Sequence, residues 1–188
     1  MKKIYFLFSV MILGALISSC DKKDKDKWNP VPKVPDVENV TSSCWVDETA
    51  WACGDEYDLT GNWFTYTDYW RNRTAAQNLP QPREWFSKIL ISGRDHMYAG
   101  LVTFTPETID DKEMVKITIQ LYNGWRFEDV EENVKAQDYE SIPEGKIKIG
   151  QFAFKYDVAN SVPNIFTFWL PLNNYYGVHV DVQRNTCN

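Results

Sequence analysis

The chain has 188 residues, 15% of them aromatic, with 26 acidic against 20 basic side chains. Loss of residues 1–19 would remove two lysines and no acid, so 18 basic side chains would face 26 acidic ones and the charge would move from −6 to −8. That balance speaks against binding nucleic acid through a basic surface, and against electrostatic attachment to anionic lipid.

The first element is a targeting segment. Lys2 and Lys3 precede an apolar run from Ile4 to Ile17, interrupted by Ser9. The run is shorter than the roughly 20 apolar residues that span a bilayer. It is therefore predicted to be a signal peptide over 1–19 rather than part of the fold. It ends in Ile17-Ser18-Ser19-Cys20, which resembles a bacterial lipobox. The resemblance implies lipidation of Cys20, with diacylglyceryl and palmitate-type acyl chains and cleavage just before the cysteine. Residues 20–42 follow as a tether of alternating charges and three prolines, Pro30, Pro32 and Pro35. Such a stretch has little to bury and stays extended. Asp21, Asp24 and Asp26 resemble the export signal of Bacteroidetes surface lipoproteins, which implies the outer membrane and its outer face.

The remaining residues, 43–188, are expected to form one domain. Its alternation is period two almost throughout. "NWFTYTDYW" (62–70), "FSKILIS" (86–92) and "YAGLVTFTP" (98–106) read as strands. In "MVKITIQLY", Val115, Ile117, Ile119 and Leu121 share one face, with Lys116, Thr118 and Gln120 on the other. "KIKIGQFAFKY", with Gly150 as a bulge, then "NIFTFWLP" and "YYGVHVDVQ" complete the set. Gly-, Pro- and Asn-rich breakers separate the runs, and no segment carries a helical apolar stripe. The expected fold is all-β, an antiparallel sandwich or jelly roll of about seven to nine strands.

Cys44, Cys53 and Cys187 lie in this domain. A Cys44–Cys187 bridge would tie its ends and is favoured by loop entropy, about 4–5 kcal/mol against about 2–3 for the small Cys44–Cys53 loop. The second pairing stays open. Neither a Cys-x-x-Cys spacing nor a histidine pair suggests a metal site, and no motif calls for a cofactor.

"ETAWACGDEY", "GNWFTYTDY", "VKITIQLYNGWRF", "GQFAFKY" and "YYGVHVDVQRNTC" together resemble a small domain of secreted and surface proteins of Bacteroidetes. The likeness spans most of Cys44–Cys187. It implies an extracellular β-sandwich and brings no catalytic residues with it. Cys53 departs from the small residue usual between ETAWA and Gly.

Chemistry is sparse in the sequence. His96 stands beside Asp95 in a turn, and no nucleophile motif accompanies it. His179 and Asp181 are expected on the solvated face of the last strand. "TPETIDDKE" gathers acids without the spacing of a calcium loop. The chain is therefore read as non-catalytic, with a small hydrolase left open through an unrecognised carboxylate pair. The aromatic residues near turns are the ligand-binding candidates: Trp70, Trp85, Trp125, Tyr175 and Tyr176, with Arg71, Asn72, Arg83 and Asn174 as polar neighbours. Trp and Tyr rings pack well on the apolar face of a sugar. Two roles remain: a lipid-anchored protein that binds a polysaccharide, or an accessory subunit with an outer-membrane protein partner.

Overall fold

The computed structural model describes residues 44–58, 64–145, 147–160 and 164–187. The signal peptide, Cys20 and the tether lie outside the described residues. Among those described are eleven strands, a nine-residue helix α1 (Tyr69–Gln77) and a 3-10 turn at Ile149–Gln151.

The strands are β1 (Trp45–Ala52), β2 (Asp55–Asp58), β3 (Phe64–Asp68), β4 (Phe86–Ser92), β5 (Met97–Ile109) and β6 (Lys112–Leu121). After them come β7 (Trp125–Phe127), β8 (Val134–Tyr139), β9 (Phe154–Tyr156), β10 (Ile165–Pro171) and β11 (Tyr175–Asn185). All belong to one antiparallel network that runs β10-β6-β5-β4-β1-β11 and continues through β8 to β9. Short β7 pairs with the far end of β11, and the β2–β3 hairpin attaches at its start. The count exceeds the seven to nine expected because β2 and β7, at four and three residues, are too short to display alternation, and β8 buries only Val134 and Ala136.

The network curls until its two ends face each other. Tyr156 of β9 lies 4.8 Å from the ring of Phe168 and 5.4 Å from Phe166, both on β10. The enclosed core holds the inward rows: Val102 and Phe104 of β5, Val115, Ile117 and Ile119 of β6, and Val178, Val180 and Val182 of β11. Each fully buried side chain of this size contributes about 1.5–3 kcal/mol. The β5–β6 hairpin turns on Asp110 and Asp111, with φ of 51° and 60°, joining Ile109 to its partner Lys112. Two successive positive-φ residues match the right-handed twist of the strands, and Asp tolerates that conformation. The acid-rich "ETIDDKE" is thus a tight hairpin, and β5 runs three residues beyond Pro106.

Helix α1 replaces the last part of the strand expected over 62–70. Asp68 caps it by accepting from the Arg71 N–H at 2.9 Å. Only Tyr69 and Ala76 are buried, seven positions apart, so the helix rests on two anchors and shows no apolar stripe. Gly150 sits in the 3-10 turn, not in a strand bulge.

A second, smaller core lies on the reverse side of β1 and β11. Trp51, Phe64, Tyr66 and Phe152 form it, with Ile147, Ile149 and Tyr175 packed alongside. Trp51 meets Phe64 edge-on at 4.8 Å and Phe152 at 6.2 Å. This layer requires Gly54: a Cβ there would stand 1.9 Å from the carbonyl oxygen of Tyr66. Here lies the reason for "AWACG": Trp51 faces the small core, Ala50 and Ala52 face the large one, and Gly54 lets the β3 backbone pass.

The disulfide is Cys44–Cys187, with the two Cα atoms 5.2 Å apart and a sequence separation of 143. It continues the β1–β11 ladder, in which Trp45 pairs with Asn185. Thr186 donates to the Cys44 carbonyl through its N–H at 2.7 Å. The Cys44–Cys53 alternative is excluded by this pairing.

Candidate functional site

The sequence candidates divide into two buried and three accessible residues. Trp125 is 7% exposed and lies in the main core. Gly124, at φ 86°, reverses the chain, so the next residue enters β7 pointing inward rather than standing on the turn. Tyr176 is fully buried. Its hydroxyl donates to the Pro171 carbonyl at 2.8 Å and accepts from the Asn173 N–H at 2.6 Å. Burial pushes that hydroxyl's pKa upward, which keeps it a neutral donor. Both residues are structural, and neither can meet a ligand on the surface.

Trp70, Trp85 and Tyr175 are accessible, and side-chain contacts connect Trp70 to the chain neighbours of the other two, Glu84 and Asn174. Trp70 stands on α1, not in a turn, and is 42% exposed. Its indole N–H donates to Asn174 Oδ1 at 2.9 Å. Asn174 also donates to the Glu140 carbonyl at 2.6 Å, and its own carbonyl accepts the Tyr69 N–H at 2.9 Å. Asn174 therefore ties the start of the helix to the β10–β11 turn and fixes the plane of the indole. Tyr175 is half-buried, with its ring edge-on to Tyr66 at 5.6 Å.

Arginines connect the two tryptophans. The Arg73 guanidinium lies over the Trp70 ring at 5.4 Å and pairs with Glu84 at 3.1 Å. Gln77 donates to the same carboxylate at 3.0 Å. These hydrogen bonds from Arg73 and Gln77 hold the Glu84 carboxyl below its ordinary range. Next in the chain is Trp85, 40% exposed, with Arg83 over its ring at 4.7 Å. Each indole thus keeps a guanidinium on one face, an attraction of about 0.5–1 kcal/mol at exposed sites. Arg71 pairs with Asp55, and Asn72 accepts from Lys88 at 3.3 Å. Lys88 is largely desolvated, and that burial lowers its pKa.

Other sequence readings fall away from this surface. His96 occupies the turn after β4, where its N–H donates to the Gly93 carbonyl at 3.3 Å. His179 is not solvated: it is 3% exposed, edge-on to Trp51 at 4.8 Å, beneath the second core. Its Nε2 is 3.7 Å from Asp181, which pairs with Lys135 at 2.9 Å. Burial lowers its pKa to about 4, against the opposing pull of Asp181. Trp45, the other indole of the "CWVDETAWACG" stretch, carries Arg126 over its ring at 4.0 Å. Arg126 in turn donates to Gln183 at 2.7 Å, and Gln183 to Asp47 at 2.7 Å, a row across β7, β11 and β1.

Sequence reasoning missed Trp169, which is 40% exposed between the buried Phe168 and Leu170. Strand alternation alone would have found it. Arg73 and Glu84, which join the two indoles, carry no sequence signal because their contact depends on the helix. Among the described residues no cluster of three or more His, Cys, Asp or Glu side chains could hold a metal, and no helix is long and apolar enough to cross a membrane. Comparison with protein-family models, curated proteins and solved structures gives no match.

Proposed function

We propose that this chain is a lipid-anchored protein of the outer membrane that holds its β domain at the cell surface and binds an extracellular glycan without catalysis. The observation that carries the binding reading is the pair of exposed indoles, Trp70 and Trp85, linked through Arg73 and Glu84. A fixed indole offers a flat apolar plate to a pyranose ring. Arginine, asparagine and glutamine side chains around it supply the donors that sugar hydroxyls accept. The anchor and the cell-surface location rest on the resemblance of residues 1–26 to lipoprotein export signals.

The test is a glycan array followed by affinity electrophoresis with the full chain. Retention by at least one polysaccharide, weakened by Trp70→Ala and Trp85→Ala, is the expected outcome. Absence of retention on every glycan removes the reading. Mass spectrometry of the N-terminal peptide checks the anchor, with the expected product beginning at an acylated Cys20.

A further inference from the structure

We infer that the outward face of β10, β6, β5 and β4 extends this binding surface from Trp85 to Trp169 and takes an uncharged polysaccharide. This rests on the glycan reading above and deepens it by naming the ligand class. Pairing register places Ser87 opposite Thr103, Thr103 opposite Thr118, and Thr118 opposite Thr167. One hydroxyl from each of four adjacent strands therefore stands in a single row. Ser87 and Thr103 are hydrogen-bonded at 2.8 Å, and Thr118 and Thr167 at 3.1 Å. A hydroxyl has one donor and two acceptor sites. Each bonded pair thus retains one donor hydrogen and several lone pairs for a ligand.

The adjoining row runs Thr105, Lys116, Trp169. Trp85 borders it at the other end, because the next residue, Phe86, pairs with Phe104. Phe86 points inward and Trp85 outward, and Trp85 and Trp169 are each 40% exposed. Three strand spacings of about 4.8 Å separate them, roughly 14 Å in all. The Trp169 indole N–H donates to Glu107, which also lies 3.6 Å from Lys116 Nζ. That contact holds the ring in place as Asn174 holds Trp70.

Chemistry and charge select the occupant. A row of four hydroxyls beside two exposed indoles suits the hydroxyls and apolar faces of a few sugar rings in line. Lys116 and Glu107 neutralise each other, and the hydroxyl row is uncharged. The hydroxyl row between the indoles accordingly offers no charge to complement an anionic polymer.

The experiment measures affinity of the full chain for soluble neutral β-glucans and mannans, for short oligosaccharides cut from the polymer bound, and for alginate as an anionic control. Trp169→Ala should weaken binding of the long neutral chain roughly tenfold. It should leave the short oligosaccharide, held at Trp70 and Trp85, unchanged. Thr118→Val with Thr167→Val preserves shape and should give a smaller loss in the same direction, and an unchanged thermal melt would show that the fold is intact. Equal polymer affinity in parent and Trp169→Ala overturns this inference and leaves the Trp70–Trp85 reading standing. Preference for alginate also overturns it, as does a self-association of the parent, seen by sedimentation, that Trp169→Ala abolishes. A parent that binds no glycan overturns both.

Discussion

The two halves of the curled sheet differ in how many faces they bury. The end of β1 (50–52) and the 176–180 part of β11 are covered on both sides: Ala50, Val178 and Val180 face the main core, while Trp51 and His179 lie under Phe64 and Phe152. β4, β5, β6 and β10 bury one side only, and leave Ser87, Gln120, Ile165 and Trp169 exposed. Stability is therefore concentrated in the first half, where a side chain on either face meets neighbours. Freedom to carry a ligand lies in the second, where outward residues bond only to one another across the strands. The loop and helix with Trp70 and Trp85 adjoin the edge of that freer half.

This contrast can be tested by substitution. Trp51→Ala should cost about 3–5 kcal/mol, because it empties the centre of the second core; denaturant unfolding measures it, and a loss below 1 kcal/mol would mean that the small core is dispensable. Acid comes next. His179 titrates at about 4 when folded, against 6.5 for an ordinary histidine. As pH falls, the unfolded chain takes up the proton first, so this contribution is complete above about pH 6.5 and is lost progressively down to about pH 4. The total loss is roughly 3 kcal/mol. His179→Gln should flatten the stability profile across that window, and an unchanged profile would place the acid sensitivity elsewhere. Asp68→Ala removes the cap of α1 and should cost about 1 kcal/mol, visible as a small fall in the melting midpoint. Trp169→Ala, on the singly buried half, should change stability by no more than about 0.5 kcal/mol. A larger loss would erase the distinction between the halves.

The same contrast explains what the sequence made legible. Val115, Ile117, Ile119 and Leu121 alternate with polar residues because β6 has one wet face, and the alternation predicts their burial. β11 alternates in the same way, yet His179 is buried. The cover over its second face comes from β3 and residue 152, far away in the chain, and alternation contains no record of it. α1 escaped because two anchors seven positions apart suffice for a helix that packs across one end of the core. Trp125 and Tyr176 misled for a related reason. Both follow turn residues, but a turn fixes only where the chain reverses, and the first side chain beyond it can point either way. Trp70 and Trp85 were legible as exposed rings, whereas the ion pair that joins their surroundings was not.

The disulfide has a mechanical consequence. A pull applied to the chain at Cys44 meets this bond first. There the load passes directly through a covalent bond to Cys187, at the opposite end of the chain. Without the bond, tension would peel β1 from β11 one hydrogen bond at a time, beginning at Trp45 and Asn185. With it, the ladder cannot unzip from that corner. If the domain binds a polymer as proposed, a load on that polymer would break the ligand contacts before the domain unravels from this corner.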